Sequence, residues 1–341
     1  MGELEKTISA LNKKFGKGYI SSGSEVLDRE YIRRPIGIFA LDCGIGGGLA
    51  HRKVMMLAGK ESSGKTATAL VAVGSTQKQG GKVVWIDAEH NFDPVWAAKL
   101  GVDVAKLFVA DPITVEQMSD TVEAFIMSGE VDLLVVDSII APPSEKALEE
   151  SAEQKSMGGK AKAIGSMMEK INARLNDVKN PCKTSVIIIN QIRDKIGSWG
   201  NPTYTPGGHA LHHFSDIIVW LRPDSKPLGS KDCPIGFTIK FKIPKNRTAP
   251  PLRVGNYDLM FEGRIEEKSS LVGLAVAKGI ISKVGYKYTL REKSVTDIKP
   301  FTAALDENDW AYIKEQLILK ADVPIKEEED DNNPLDLTVE E

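Results

Sequence analysis

Apolar and polar positions along the chain fall into a repeated order, a short apolar run followed by a stretch with apolar residues at helical spacing. The runs Val54–Ala58, Val83–Asp87, Leu107–Ala110, Leu133–Asp137, Val186–Asn190 and Ile217–Leu221 read as strands. Stretches near 65–79, 94–100, 115–128 and 158–178 read as the helices between them. This alternation predicts an α/β fold with a mostly parallel twisted sheet covered by helices on both faces. Ahead of it, Leu4, Ile8, Leu11 and Phe15 mark a short amphipathic helix over 3–15. Residues 16–36, rich in Gly, Ser and charge, read as a connector. After Pro223 the period drops to two. Phe237, Ile239, Phe241 and Ile243 alternate with Thr238, Lys240, Lys242 and Pro244, which predicts a half-buried antiparallel strand pairing with Asn256–Glu262. Residues 269–320 read as a small α+β unit, and the chain carries no internal repeat.

One junction in this pattern carries chemistry. Gly59-Lys60-Glu61-Ser62-Ser63-Gly64-Lys65-Thr66 fits G-x-x-x-x-G-K-[ST] without a mismatch, between a predicted strand and a predicted helix. Gly59 and Gly64 let the backbone turn its N–H groups toward phosphate oxygens. The helix N-terminus adds its dipole, Lys65 reaches the outer phosphates, and Thr66 can ligate magnesium. The bland reading, a chance Gly/Ser turn with an exposed lysine, requires the flanking strand and helix to be coincidental too. The chain is therefore expected to bind a nucleoside triphosphate.

Charge and composition change the picture only at one end. The chain of 341 residues has a formal net charge of −3, but Glu327–Glu341 holds eight acids and no base, leaving residues 1–326 at +5. A mildly basic body with an acidic, disordered tail suits a protein that binds polyanions and regulates access to them; a solubilising tail is the alternative. Apolar runs such as that in Ser185–Ile189 are too short to span a bilayer, and the N-terminus has no signal-peptide layout. Cys43, Cys182 and Cys233 are widely spaced, which implies neither a disulfide framework nor a zinc site and suits a reducing cytosol.

Further carboxylates fall at strand ends. Leu133–Asp137 is an apolar strand ending in aspartate, and beside a phosphate loop Asp137 is the residue to support magnesium. Val84-Trp85-Ile86-Asp87-Ala88-Glu89 delivers Glu89 to the same sheet edge, where ligands of open α/β sheets bind. Glu89 can orient or deprotonate an attacking water, or can cap the helix that starts near Asp93-Pro94. Gln191, at the end of the next strand, can sense a terminal phosphate or be an ordinary strand terminus. The connection 192–208 is long, rich in Gly and Pro, and sets Arg193, Lys195, Ile196, Trp199 and Tyr204 together. Basic groups interleaved with aromatics suit single-stranded nucleic acid. A second, weaker candidate is 151–160, with Lys155, Met157 and Lys160.

Six ordered blocks, FGKG at 15–18, GKESSGKT at 59–66, IDAEHNFDP at 86–94, VDLLVVDS at 131–138, INQIRDKIG at 189–197 and GNPTYTPGGHAL at 200–211, resemble the RecA-type homologous recombinases over roughly residues 4–265. The resemblance implies a RecA-like ATPase core over 37–265, an N-terminal docking arm over 1–36, a small C-terminal domain over 266–326 and the tail beyond. It implies a DNA-dependent ATPase that uses ATP and Mg2+, forms a helical homo-oligomer on single-stranded DNA, and exchanges strands with homologous duplex. Single-strand-binding and loader proteins are further partners, and the cytoplasm of a bacterium or a phage-infected host is the expected location. By the same resemblance Gly59, Glu61, Ser62, Ser63, Gly64, Lys65 and Thr66 hold phosphate, Thr66 and Asp137 the metal, and Glu89 activates water. Gln191 is then the phosphate sensor, Asp93 and Trp96 meet adenine, and Lys245 and Arg247 reach the neighbouring subunit's ATP. Loops 151–160 and 192–208, with Met157, Arg193, Lys195, Ile196, Trp199, Gly207 and Gly208, touch DNA, and Met157 and Ile196 wedge between base triplets.

The alternation over 237–243 adds an independent expectation: Lys245 and Arg247 continue the buried odd parity and share one face, provided Pro244 keeps the register. There are also departures from the family. His212 and His213 stand where it has a lysine and an aromatic, which predicts pH-sensitive signalling at the interface. The second loop is one residue shorter than the common bacterial form, and 269–320 match only loosely. Competing readings are a ring-shaped helicase on the same core, a regulatory paralogue without strand exchange, and a small-molecule kinase. The last lacks any evident lid or acceptor pocket.

Overall fold

The computed structural model describes residues 2–27, 31–149, 159–194, 203–204, 206–230 and 232–320. A helix α1 (Glu3–Phe15) precedes the sheet and buries none of its residues. The core then runs β1 (Val54–Gly59), α2 (Lys65–Lys78), β2 (Val83–Asp87), α3 (Pro94–Lys99), β3 (Leu107–Ala110), α4 (Val115–Met127) and β4 (Leu133–Asp137). It continues through α5 (Gly159–Leu175), β5 (Ser185–Gln191), α6 (Gly208–Phe214), β6 (Ile217–Ser230), β7 (Cys233–Asn246), β8 (Arg253–Met260) and β9 (Arg264–Glu266). The nine strands form one sheet in the order β9-β8-β7-β6-β1-β5-β4-β2-β3. From β6 to β3 every pairing is parallel, and β6 to β9 are antiparallel. The apolar runs of the sequence are these parallel strands; all but the edge strand β3, whose Phe108 and Val109 are exposed, are buried on both faces, which is why they show no alternation.

Two apolar layers sandwich the sheet. Odd positions such as Leu57, Val135, Ile187 and Val219 pack with Leu70 and Val73 of α2. Even positions such as Met56, Leu134, Ile188 and Ile218 pack with Met118 and Val122 of α4, Met168 and Ile171 of α5, and Leu211 of α6. Gly74 lets α2 lie against the turn after α3, since a Cβ there would sit 2.6 Å from the Gly101 carbonyl oxygen. A third core, including Leu271, Phe301 and Leu317, lies in the helices and three-stranded sheet of residues 268–319, with Phe39 and Cys43 packed against it. No helix among the described residues is long and apolar enough to cross a membrane.

The connector 16–36 contains more order than expected, a short helix Gly23–Leu27 and Arg33-Arg34 paired with Leu49-Ala50. Arg33 explains the pairing: its guanidinium donates to the Ile45, Gly48 and Thr248 carbonyls, contacts that lie too far apart in sequence for composition to indicate. The antiparallel strand expected over 237–243 extends over all of β7.

Register is where expectation and structure part. Trp220 faces Lys242 and Ile218 faces Lys245, so three residues of β7 span two of β6. The extra residue is a bulge at Ile243-Pro244, where proline has no N–H for the ladder. It flips the parity. Ile239, Phe241 and Ile243 face the α2 layer, whereas Lys245 lies opposite Ile218 on the layer of α6.

Candidate active site

The parallel strands end level with one another. Gly59 of β1 is in register with Gln191 of β5, and Asp87 of β2 with Asp137 of β4. Residues from four strands therefore open onto one carboxyl edge. Between β1 and α2 the loop has left-handed backbone at Ser62 (φ 57°) and Gly64 (φ 85°). Such reversals, two residues apart, let successive N–H groups converge on an anion. Gly59 has no room for a side chain, because a Cβ would collide with Ser63 and lie 2.6 Å from the Leu221 carbonyl oxygen. The first turn of α2 contains no acid and no side-chain cap, so its N–H groups and positive dipole end face the loop.

Lys65 is buried in this loop, donating to the Lys60 carbonyl at 2.7 Å and to Ser63 Oγ at 3.4 Å. Burial lowers its pKa below the usual lysine value, opposed by Asp137, Glu89 and Glu61. Thr66 Oγ1 donates to Asp137 Oδ2 at 3.0 Å. Burial pushes Asp137 up to about 7; Glu89 and Asp87 push the same way, while the Thr66 hydroxyl and Lys65 oppose them. A hydroxyl beside a buried carboxylate crowded by other acids is a place short of positive charge, and it fits a hard divalent cation. Among the described residues no group of three or more His, Cys, Asp or Glu makes a complete metal site. The donor set therefore suits an ion that takes its remaining ligands from phosphate and water, as magnesium does.

Glu89 follows β2, and the N–H groups of Ala88 and Glu89 both donate to the Asp137 carbonyl, at 2.8 and 3.2 Å. Gln191 Nε2 donates to Glu89 Oε1 at 3.1 Å, and Ser138 Oγ donates to the same oxygen. Two donors on Oε1 orient the carboxylate and leave Oε2 as the oxygen offered to a water. Ser138 had no assigned role in the sequence reading; its only signal was its place directly after Asp137. The carboxylate that caps the helix from Pro94 is Asp93, not Glu89: Asp93 Oδ1 accepts from Val95 N and Trp96 N at 2.8 and 3.1 Å. Trp96 is half-buried against the α2 layer. Asp93 and Trp96 share no hydrogen bond with the phosphate loop among the described residues.

Lys245, on the face the bulge gives it, donates to the His212 and His213 carbonyls at 2.6 and 3.0 Å. These are carbonyls of the last turn of α6, where the helix dipole favours a cation. Burial, then Arg247, lowers the Lys245 pKa to about 8, against Asp216. Arg247 Nη1 lies 3.9 Å from Asp216 Oδ1. Burial lowers His212 as well, followed by Lys245, His209, Arg247 and His213. Gly207 (φ 110°) and Gly208 (φ 77°) start α6 from left-handed backbone. Arg193-Asp194 pairs with Thr203-Tyr204, which joins the two stems of the second candidate DNA loop. Met157, Lys195, Ile196, Trp199 and the acidic tail lie outside the described residues, while Lys160 donates to the Ile140 and Ala141 carbonyls.

Comparison with known proteins is consistent with this geometry. A family model described as RecA N-terminal domain matches residues 2–266. The chain is 36% identical over 291 residues to Protein RecA of Thermus aquaticus, covering 85% of this chain and 84% of that one. Against Protein RecA of Bacillus subtilis the identity is 36% over 292 residues, 85% and 82% of the two chains. Against that of Brevibacillus brevis it is 33% over 325 residues, 95% and 89%.

Proposed function

The chain belongs to the RecA family, and from that premise we propose that it is an ATP-dependent recombinase that pairs homologous DNA and exchanges strands, hydrolysing ATP in response to DNA. The observation that carries the reading is the Glu89 carboxylate, held by the Gln191 amide at the strand edge beside a complete phosphate loop. In this reading the contact joins the general base, Glu89, to the sensor of the terminal phosphate, Gln191. The oligomer is a helical filament on single-stranded DNA.

In this reading the loop Gly59–Thr66 binds the triphosphate through its N–H groups and Lys65. Thr66 and Asp137 would hold Mg2+, which when bound neutralises charge on the phosphate oxygens. Glu89 takes a proton from the attacking water, while Ser138 keeps its carboxylate aimed. Gln191 exchanges Glu89 for the terminal phosphate and so reports it. Asp93, through the oxygen not used in its helix cap, and the Trp96 ring meet the base. Met157, Arg193, Lys195, Ile196, Trp199 and the Gly207-Gly208 turn form the DNA surface. The expected location is cytoplasmic.

The test is ATP hydrolysis with and without single-stranded DNA, with electron microscopy of the same samples. Stimulation together with extended filaments is the expected result; closed rings, or hydrolysis indifferent to DNA, would remove the recombinase reading.

Lys245 and Arg247 reach the neighbouring subunit's triphosphate in this arrangement, and that role has a pH signature. A lysine whose pKa is lowered to about 8 is charged below that pH and loses its charge as pH rises through it. ATP-dependent self-association should therefore weaken above about pH 8. Lys245→Arg should hold association to about pH 10, since the guanidinium keeps its proton throughout. Light scattering against pH reads this directly, and identical profiles for the two proteins would remove Lys245 from the interface.

A further inference from the structure

Asn190 has no part in the chemistry above, yet it sits between two of its parts. It is fully buried at the end of β5, in register with Ala58, while its neighbour Gln191 is in register with Gly59. Strand alternation sends the two side chains to opposite faces of the sheet. Gln191 meets Glu89, and Asn190 Nδ2 donates to the Pro206 carbonyl at 2.9 Å. Pro206 immediately precedes the left-handed Gly207-Gly208 turn that opens α6. At its other end, α6 carries the two carbonyls that accept from Lys245. The first end of this helix is thus fastened to a strand tip at the candidate nucleotide site, and its last turn to β7 at the opposite edge of the sheet, where Lys245 pairs with Ile218 near the start of β1.

The Asn190 amide is poorly suited to a purely structural role. Its Nδ2 has one carbonyl and a long contact to Met56 Sδ at 3.8 Å, and among the described residues its buried Oδ1 has no hydrogen-bond partner. An apolar residue of similar shape would avoid that unpaired acceptor. What the amide supplies, and leucine would not, is a directional tie between β5 and Pro206. Ile192 N donates to the Gly59 carbonyl at 3.0 Å, so the segment just after Gln191 is pinned to the start of the phosphate loop. A backbone rotation that swings Gln191 from Glu89 toward a terminal phosphate must then be taken up at residue 190. It moves the amide that holds Pro206.

We infer that Asn190 is a positioning residue that ties Pro206, and with it α6, to the end of β5, so that the state of Gln191 is passed to the Gly207-Gly208 turn and DNA binding is passed back. The inference rests on the recombinase reading and adds to it the residue through which nucleotide and DNA communicate. Coupling of this kind is reciprocal between the two ligands.

The test uses the full chain and Asn190→Leu, which keeps the volume and removes the donor. ATP hydrolysis is measured with and without single-stranded DNA, alongside the melting temperature. Hydrolysis without DNA should stay within about twofold of wild type and the KM for ATP should be unchanged, while the stimulation by DNA falls about tenfold. A wild type stimulated by DNA and matched by Asn190→Leu overturns this inference alone, as does a parallel fall of both rates. A wild type indifferent to DNA overturns the recombinase reading as well. One arm needs no variant: amide hydrogen exchange in α6 of the wild type should change when ATP is added, and unchanged exchange would count against the tie.

Discussion

Lys65→Ala is expected to abolish ATP hydrolysis, with the rate falling by at least about 10²-fold, as when a single preorganised electrostatic contact to the reacting group is deleted. The ammonium is buried within the loop and held by the Lys60 carbonyl and Ser63 Oγ, so it is positioned before nucleotide arrives. Its removal also leaves Asp137, Glu89 and Glu61, the acids that oppose its desolvation, without the cation that balances them. Binding of a triphosphate then meets net negative charge at the loop. Thr66→Ala should act in the same direction, by removing the hydroxyl that donates to Asp137. Steady-state hydrolysis with a melting curve on each variant checks both. A folded variant that turns over ATP normally would remove the nucleotide site from this loop.

Glu89→Gln separates binding from chemistry. The amide has the shape of the carboxylate, and its oxygen can still accept from Gln191 and Ser138, so the strand edge keeps its arrangement. What is lost is the base. Hydrolysis should fall by about 10²–10⁴-fold, the usual contribution of a positioned acid or base, with ATP and DNA binding retained. Nucleotide binding by fluorescence, beside single-turnover hydrolysis, distinguishes the cases. Loss of nucleotide binding in this variant would make Glu89 a structural residue.

Much of the candidate site could be read from the sequence because its parts announce themselves locally. The phosphate loop is eight consecutive residues between a strand and a helix, and each carboxylate stands at the tip of its own apolar run. The strands themselves matched their runs to within a residue at the tips that carry the site. The relation between tips was not local. Glu89, Ser138 and Gln191 are separated by tens of residues, and only the parallel register of β2, β4 and β5 brings them to one carboxylate oxygen. Ser138 could not be singled out before that.

Side-chain direction was the other blind spot. Alternation in β7 predicted one face for Lys245, and the bulge at Pro244 gave it the other. That single residue decides whether the ammonium faces α2 or caps α6. The helix cap shows the same limit on a smaller scale: the sequence offered Glu89 for it, and the backbone gave it to Asp93.

By itself, then, the sequence determined the parallel α/β sheet, the phosphate loop and the roster of acids along its edge, because hydrophobic period and short motifs act over a few residues. The tertiary structure alone decided which of those residues meet: Gln191 with Glu89, Asn190 with Pro206, Lys245 with the end of α6. Those contacts depend on strand order and register, which are set by packing the whole sheet, and a one-residue bulge is enough to reverse them.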